Sequence, residues 1–113
     1  MSEGPLSRGD LVTVTASGDY GKPRPALIIQ SDHFDQHPSL TLLPFTSYLR
    51  DTPLFRITVY STPGNGLQKT SQIMIDKILT VPRERIGGRI GMLDTETMLS
   101  VDRALTVFLG IAR

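Results

Sequence analysis

Apolar positions along this chain come in short runs punctuated by glycine and proline, and their period changes once, near the C-terminus. Residues 10–15, Asp-Leu-Val-Thr-Val-Thr, alternate around β-branched side chains and predict a strand. Residues 25–30 form a continuous apolar run, the pattern of a strand buried on both faces. A third strand is expected over 39–45. A half-exposed one is expected over 53–61, where Leu54, Arg56 and Thr58 alternate with Phe55, Ile57 and Val59. Thr62-Pro63-Gly64-Asn65-Gly66 is the strongest turn signal. Residues 71–75 predict a strand ending at Asp76-Lys77. Thr80-Val81-Pro82 predicts a short extended piece with Pro82 at an edge or bulge. Gly87, Gly88 and Gly91 around Arg89-Ile90 predict a bend in a short strand.

The final element reads differently. Met98, Val101, Leu105 and Phe108 recur at helical spacing and are expected to face the core. Asp94 suits the N-cap, Glu96 the first turn, and Gly110 the C-terminal stop, so a helix is expected over about 95–109. Residues 1–7 read as a loose arm, 16–23 and 46–52 as loops, and 32–38 as a loop or single helical turn. Strands followed by one terminal helix imply a mainly β fold: a small antiparallel β-barrel or folded-over sheet with the helix across one face.

Composition narrows the class. The 113 residues make one domain, 1–113, with no repeats or linkers and enough chain to bury a core. Cysteine is absent, which excludes disulfides and thiolate metal sites and fits a cytoplasmic protein. No apolar run is long enough to span a bilayer. A net charge of +1 does not mark a general nucleic-acid binder, so any RNA or DNA would need a locally basic groove.

Such a groove has a candidate anchor. Arg24 sits between Pro23 and Pro25 at the mouth of the second strand, and a residue before proline is driven toward extended backbone. A guanidinium on a backbone so restricted suits a phosphate or carboxylate. Its structural alternative is a pair with a carboxylate such as Asp19 or Asp76. Thr46 and Ser47, just past the third strand, either orient a substrate or cap a turn. Asp76, at a strand end, either accepts hydrogen bonds from a base edge or forms a turn. His33 and His37 have metal-like spacing beside Asp32 and Asp35, but Pro38 and the lack of an apolar helical face favour a solvated loop. Arg83, Arg85 and Arg89 read as phosphate contacts or as a charged edge that resists strand pairing.

Residues 8–14 (Arg-Gly-Asp-Leu-Val-Thr-Val), 21–29, Pro44 to Ser47 and Ser71 to Lys77, taken in that order, resemble the MazF/PemK family of toxin–antitoxin ribonucleases. The likeness covers nearly the whole chain. It implies an SH3-like β-barrel of the CcdB/PemK type, a homodimer, and sequence-specific cleavage of single-stranded RNA without metal or cofactor. It places the catalytic arginine on Arg24 and the catalytic threonine on Thr46. RNA contacts are implied at Asp19, Tyr20, Lys22, Ser47, Asp76 and Lys77. The expected partners are single-stranded RNA and a cognate antitoxin with an acidic, disordered tail; no membrane is involved. The expected products carry 2′,3′-cyclic phosphate and 5′-hydroxyl ends. Two alternatives share the fold: a CcdB-like toxin that binds DNA gyrase, and a non-catalytic binding module. The tryptophan prominent near the C-terminus of the former is absent here.

Overall fold

The structure, a computed structural model, describes residues 5–15 and 22–112. Among them are seven strands followed by one helix: β1 (Asp10–Val14), β2 (Arg24–Ile28), β3 (Ser39–Thr46), β4 (Arg56–Val59), β5 (Ser71–Met74), β6 (Leu79–Pro82), β7 (Ile86–Met92) and α1 (Thr95–Phe108). The mainly β fold with a terminal helix is therefore observed. All strand pairs are antiparallel, in the order β4-β5-β3-β2-β1-β7, with β6 on β3.

Strand β3 is the hub. Its first half pairs with β6, its middle with β2, and its last two residues with β5, as Phe45↔Ile73 and Thr46↔Gln72. Changing partners along one strand requires the sheet to curl. No ladder joins β4 to β7 among the described residues. Instead the turn after β4 bridges the gap, and Met92 N–H donates to the Gly64 carbonyl at 3.0 Å. Gly66 in this turn has φ +73°, and a Cβ there would meet the Ile90 carbonyl oxygen at 2.0 Å. Only glycine permits that approach.

Alternation along the central strands divides the core in two. Leu11, Leu27, Leu43, Phe45 and Ile73 point to one face, where Val101 and Leu105 of α1 cover them. Val12, Val14, Ala26, Ile28 and Leu42 point to the other, closed by Val81 and Ile86. This explains the uninterrupted apolar run of β2, since both of its faces are buried.

The helix begins as expected. The Asp94 carboxylate accepts from Thr97 N–H at 2.9 Å and from the Thr97 hydroxyl at 2.7 Å. These two bonds, the side-chain one foremost, hold its pKa below the ordinary 3.8. Gly110 leaves the helix at φ +74°.

The expected apolar stripe is corrected at its end. Val101 and Leu105 are buried, but Phe108, the last residue of α1, is 48% exposed. Strand β4 is also shorter than 53–61. The amides of Phe55 and Arg56 both bond to the Thr52 carbonyl, so the chain turns before it extends. Of the expected arm, residues 1–4 lie outside the described residues, and Leu6 packs on the second core cluster.

Candidate functional site

Strands β2 and β3 bring the two sequence candidates to one edge of the sheet. Their register, Ala26↔Pro44, runs toward Arg24 at the start of β2 and Thr46 at the end of β3. Both line a groove of about 680 Å³, together with Lys22, Ser47 and, from later in the chain, Gly66, Lys69, Met74 and Ile90. Arg24 leads into β2 through Pro25, whose missing N–H costs the ladder little at the strand's opening.

Electrostatically the groove is one-sided. Lys22, Arg24 and Lys69 are its charged lining residues, and no carboxylate lines it among the described residues. A second depression of about 580 Å³, lined by Tyr60, Met92 and Thr97, has Asp94 as its only charged residue there. Among the described residues the first lining therefore carries positive charge and the second negative.

Thr46 lies where the chain leaves β3. Its Oγ1 accepts from Tyr48 N–H at 3.1 Å. This is the turn-capping role, and it leaves the hydroxyl proton available to donate. The loop beyond is held from beneath by Gln72, whose side chain is buried opposite Thr46. Its Oε1 accepts from Arg50 N–H at 3.0 Å, and its Nε2 donates to the Arg50 carbonyl at 2.8 Å and to Thr58 Oγ1 at 3.2 Å.

Asp76 and Lys77 do not line this groove. They sit on a 3₁₀ turn, Ile75–Lys77, that follows β5. Asp76 faces Arg56 at 3.7 Å and Lys77 at 3.9 Å. The Arg56 side chain is only 9% exposed, contrary to its expected place on the exposed face of β4, because its head turns in toward that carboxylate. Asp19 and Tyr20 lie outside the described residues.

The remaining polar candidates have structural partners. Arg89 pairs with Asp10, and Arg83 donates to the carbonyls of Asp35 and His37. His37 Nδ1 accepts from Ser39 N–H at 3.1 Å. Among the described residues no group of three His, Asp or Glu side chains is gathered that could hold a metal. Sequence reasoning missed Lys69 and Gln72. Each stands beside Thr46 or Arg24 only because β5 pairs with β3.

The chain has recognisable relatives. The family described as PemK-like, MazF-like toxin of type II toxin–antitoxin system matches residues 7–109. A probable endoribonuclease MazF from Mycolicibacterium smegmatis is 52% identical over 108 residues, covering 95% of this chain and 99% of that protein. Endoribonuclease EndoA from Bacillus subtilis is 28% identical over 112 residues, covering 98% and 96%. Among solved structures, an endoribonuclease in complex with its cognate antitoxin from a mycobacterial species is similar at TM-score 0.78 and 22% identity, over 96% of this chain and 98% of that one. A MazE–MazF structure from Deinococcus radiodurans is similar at TM-score 0.76 and 19% identity, over 96% and 98%.

Proposed function

This chain belongs to the PemK-like, MazF-like toxins of type II toxin–antitoxin systems, and we propose that it is an endoribonuclease that cuts single-stranded RNA in the groove shared by Arg24 and Thr46. The convergence of these two residues on one basic groove carries the reading. The curated relatives are named as endoribonucleases, which favours RNA cleavage over a gyrase-directed or non-catalytic role.

RNA brings its own nucleophile. The 2′-hydroxyl loses its proton and attacks the adjacent phosphorus, forming the P–O2′ bond. The P–O5′ bond breaks, and the leaving oxygen takes up a proton. The products are a 2′,3′-cyclic phosphate and a 5′-hydroxyl. The protein's tasks are alignment and stabilisation of charge on the pentavalent phosphate. Arg24 supplies a forked donor that stays protonated at neutral pH, so its role is charge stabilisation. Thr46, with one lone pair taken by Tyr48 N–H, donates its proton to a phosphate oxygen. Lys22 and Lys69 hold neighbouring phosphates, and Ser47 adds a second hydroxyl at the rim. The basic lining offers the charge that a metal supplies in other nucleases, so cleavage proceeds without one. Asp76 and Lys77, two and three residues past the groove residue Met74, serve a flanking nucleotide.

The same charges suit an inhibitor. A cognate antitoxin with an acidic disordered tail lays carboxylates where phosphates otherwise sit. The working form is a cytoplasmic homodimer.

The test is digestion of a long single-stranded RNA in EDTA, beside an Arg24→Ala control. Discrete fragments with 5′-hydroxyl ends from the wild type alone are expected. Fragments ending in 5′-phosphate, or equal cutting by the variant, would overturn the mechanism.

A further inference from the structure

We infer that Tyr48, backed by Arg50, is a preformed stacking site for one base of the RNA strand, and that Gln72 is the positioning residue that holds it. The inference rests on the ribonuclease reading and adds a contact to it.

The observations are local and independent of the groove's charge. Tyr48 is 68% exposed, although a ring of that size is normally buried at least in part. The Arg50 guanidinium lies over this ring, 5.2 Å from its centre. A loop bearing an exposed aromatic would ordinarily sample many conformations and lose entropy on binding. This one is tied at both residues. Tyr48 N–H is bonded to Thr46 Oγ1, and both the N–H and the carbonyl of Arg50 are bonded to Gln72. Gln72 is itself only 5% exposed and stands opposite Thr46 across the β3–β5 pair. The Gln72 amide thus offers the Arg50 peptide the donor and acceptor that another strand would offer. The loop becomes an extension of the sheet.

The occupant is a nucleobase. Tyr48 is two residues from Thr46 and one from Ser47, both at the groove. A base one nucleotide from a phosphate held there is therefore within reach of the ring. Its flat π-face suits the phenol, and the adjacent guanidinium favours a polyanion's base over a neutral apolar side chain. Stacking of this kind accepts any base, so the site contributes affinity and leaves sequence choice to other contacts.

The experiment uses a short single-stranded RNA and a copy of it methylated at every 2′-oxygen, which no 2′-hydroxyl attack can cut. The chain has three tyrosines and no tryptophan, so tyrosine emission reports stacking directly. For Tyr48→Ala the expectation is a KM about tenfold higher with kcat nearly unchanged, as loss of one stacking contact gives. Tyr48→Phe should restore most of the affinity. The methylated copy should quench wild-type emission, and this quenching should fall sharply in Tyr48→Phe, whose ring is nearly silent there. Gln72→Met should also raise KM, and should add nothing to Tyr48→Ala, because both remove the same contact. Phe34→Ala, an exposed ring at the far end of β2 and β3, is the control expected to change neither value.

An unchanged KM in Tyr48→Ala, or a loss confined to kcat, would overturn the stacking role while leaving the ribonuclease intact. Quenching by the methylated copy that is lost in Tyr48→Phe, without cutting of the native RNA, would uphold the stacking site and reject the cleavage reading. Quenching by a free acidic peptide and none by RNA would assign the ring to protein instead.

Discussion

Arg89 reaches across from β7 to the buried carboxylate of Asp10 in β1, with Nε and Nη2 each 2.9 Å from the same oxygen, Oδ2. That oxygen also accepts from Ser7 N–H at 2.8 Å. The bond ties the last strand to the first, beside a ladder whose register shifts twice. Asp10→Ala leaves a largely buried guanidinium without its counter-charge. The expected cost is about 3 kcal/mol of unfolding free energy, read from urea denaturation. Since Asp10 lies outside the groove, the folded fraction should cut RNA at an unchanged rate.

In the proposed mechanism Arg24 supplies fixed charge at the phosphate. Arg24→Ala should lower kcat/KM by roughly 100- to 1,000-fold, the loss seen when one preorganised donor is removed from a developing charge. Arg24→Lys should recover only part of this, because an ammonium keeps the charge and loses the fork. Arg24 is exposed at the start of β2, so a loss of cleavage that exceeds any loss of folded protein is the expected pattern for both variants. Parallel kinetics and thermal melts check both statements.

Thr46 makes one bond that shapes the loop and has one proton to give. Thr46→Ser keeps both functions and should stay within about tenfold of wild type, whereas Thr46→Val loses both and should fall about 100-fold. Equal activity of the serine and valine variants in single-turnover cleavage would show that cleavage does not need the hydroxyl.

Gly66 occupies a position where a side chain is refused twice, by φ and by the Ile90 carbonyl. Gly66→Ala is expected to cost at least about 2 kcal/mol. Gly66 and Ile90 both line the groove, so activity should fall with stability. A melt and a cleavage assay on one preparation make the comparison.

The Asp94 cap predicts a pH dependence. A carboxyl whose pKa is lower in the folded chain binds its proton more readily after unfolding, so it stabilises the fold above the unfolded value. That contribution is complete at neutral pH. It declines as the pH drops past 3.8 and vanishes below the lowered folded value. Asp94→Ala should cost about 1 kcal/mol at pH 7 and far less in strong acid. Urea unfolding of both proteins across that range tests the difference.

Much of this architecture was legible locally. The two-sided burial of β2 was visible as an unbroken apolar run, and the helix as a change of period ended by Gly110. Arg24 and Thr46 could be picked out because proline and a strand end mark them in the chain itself. What could not be read was anything set by partners far away in sequence. Arg56 looked solvent-facing by alternation, yet its head meets Asp76 twenty residues later. Lys69 carries no local mark, and Gln72 reads as an ordinary polar residue in a strand. Their roles come from β5 lying against the end of β3, a pairing that no window of neighbouring residues contains. Phe108 failed for the opposite reason. Its spacing is helical, but periodicity does not say how far along a helix the covering contacts extend, and Phe108 is the helix's last residue.

The groove's lining runs from Thr13 to Ile90. Synthesis delivers residues in order, and pairings between distant segments form last. A nascent chain that has already presented Arg24 and Thr46 still lacks the wall built by Gly66, Lys69 and Ile90. At that stage it holds the two proposed site residues without the rest of the cleft they line. The groove is therefore complete only once the chain has been made as far as Ile90 and its late strands have paired.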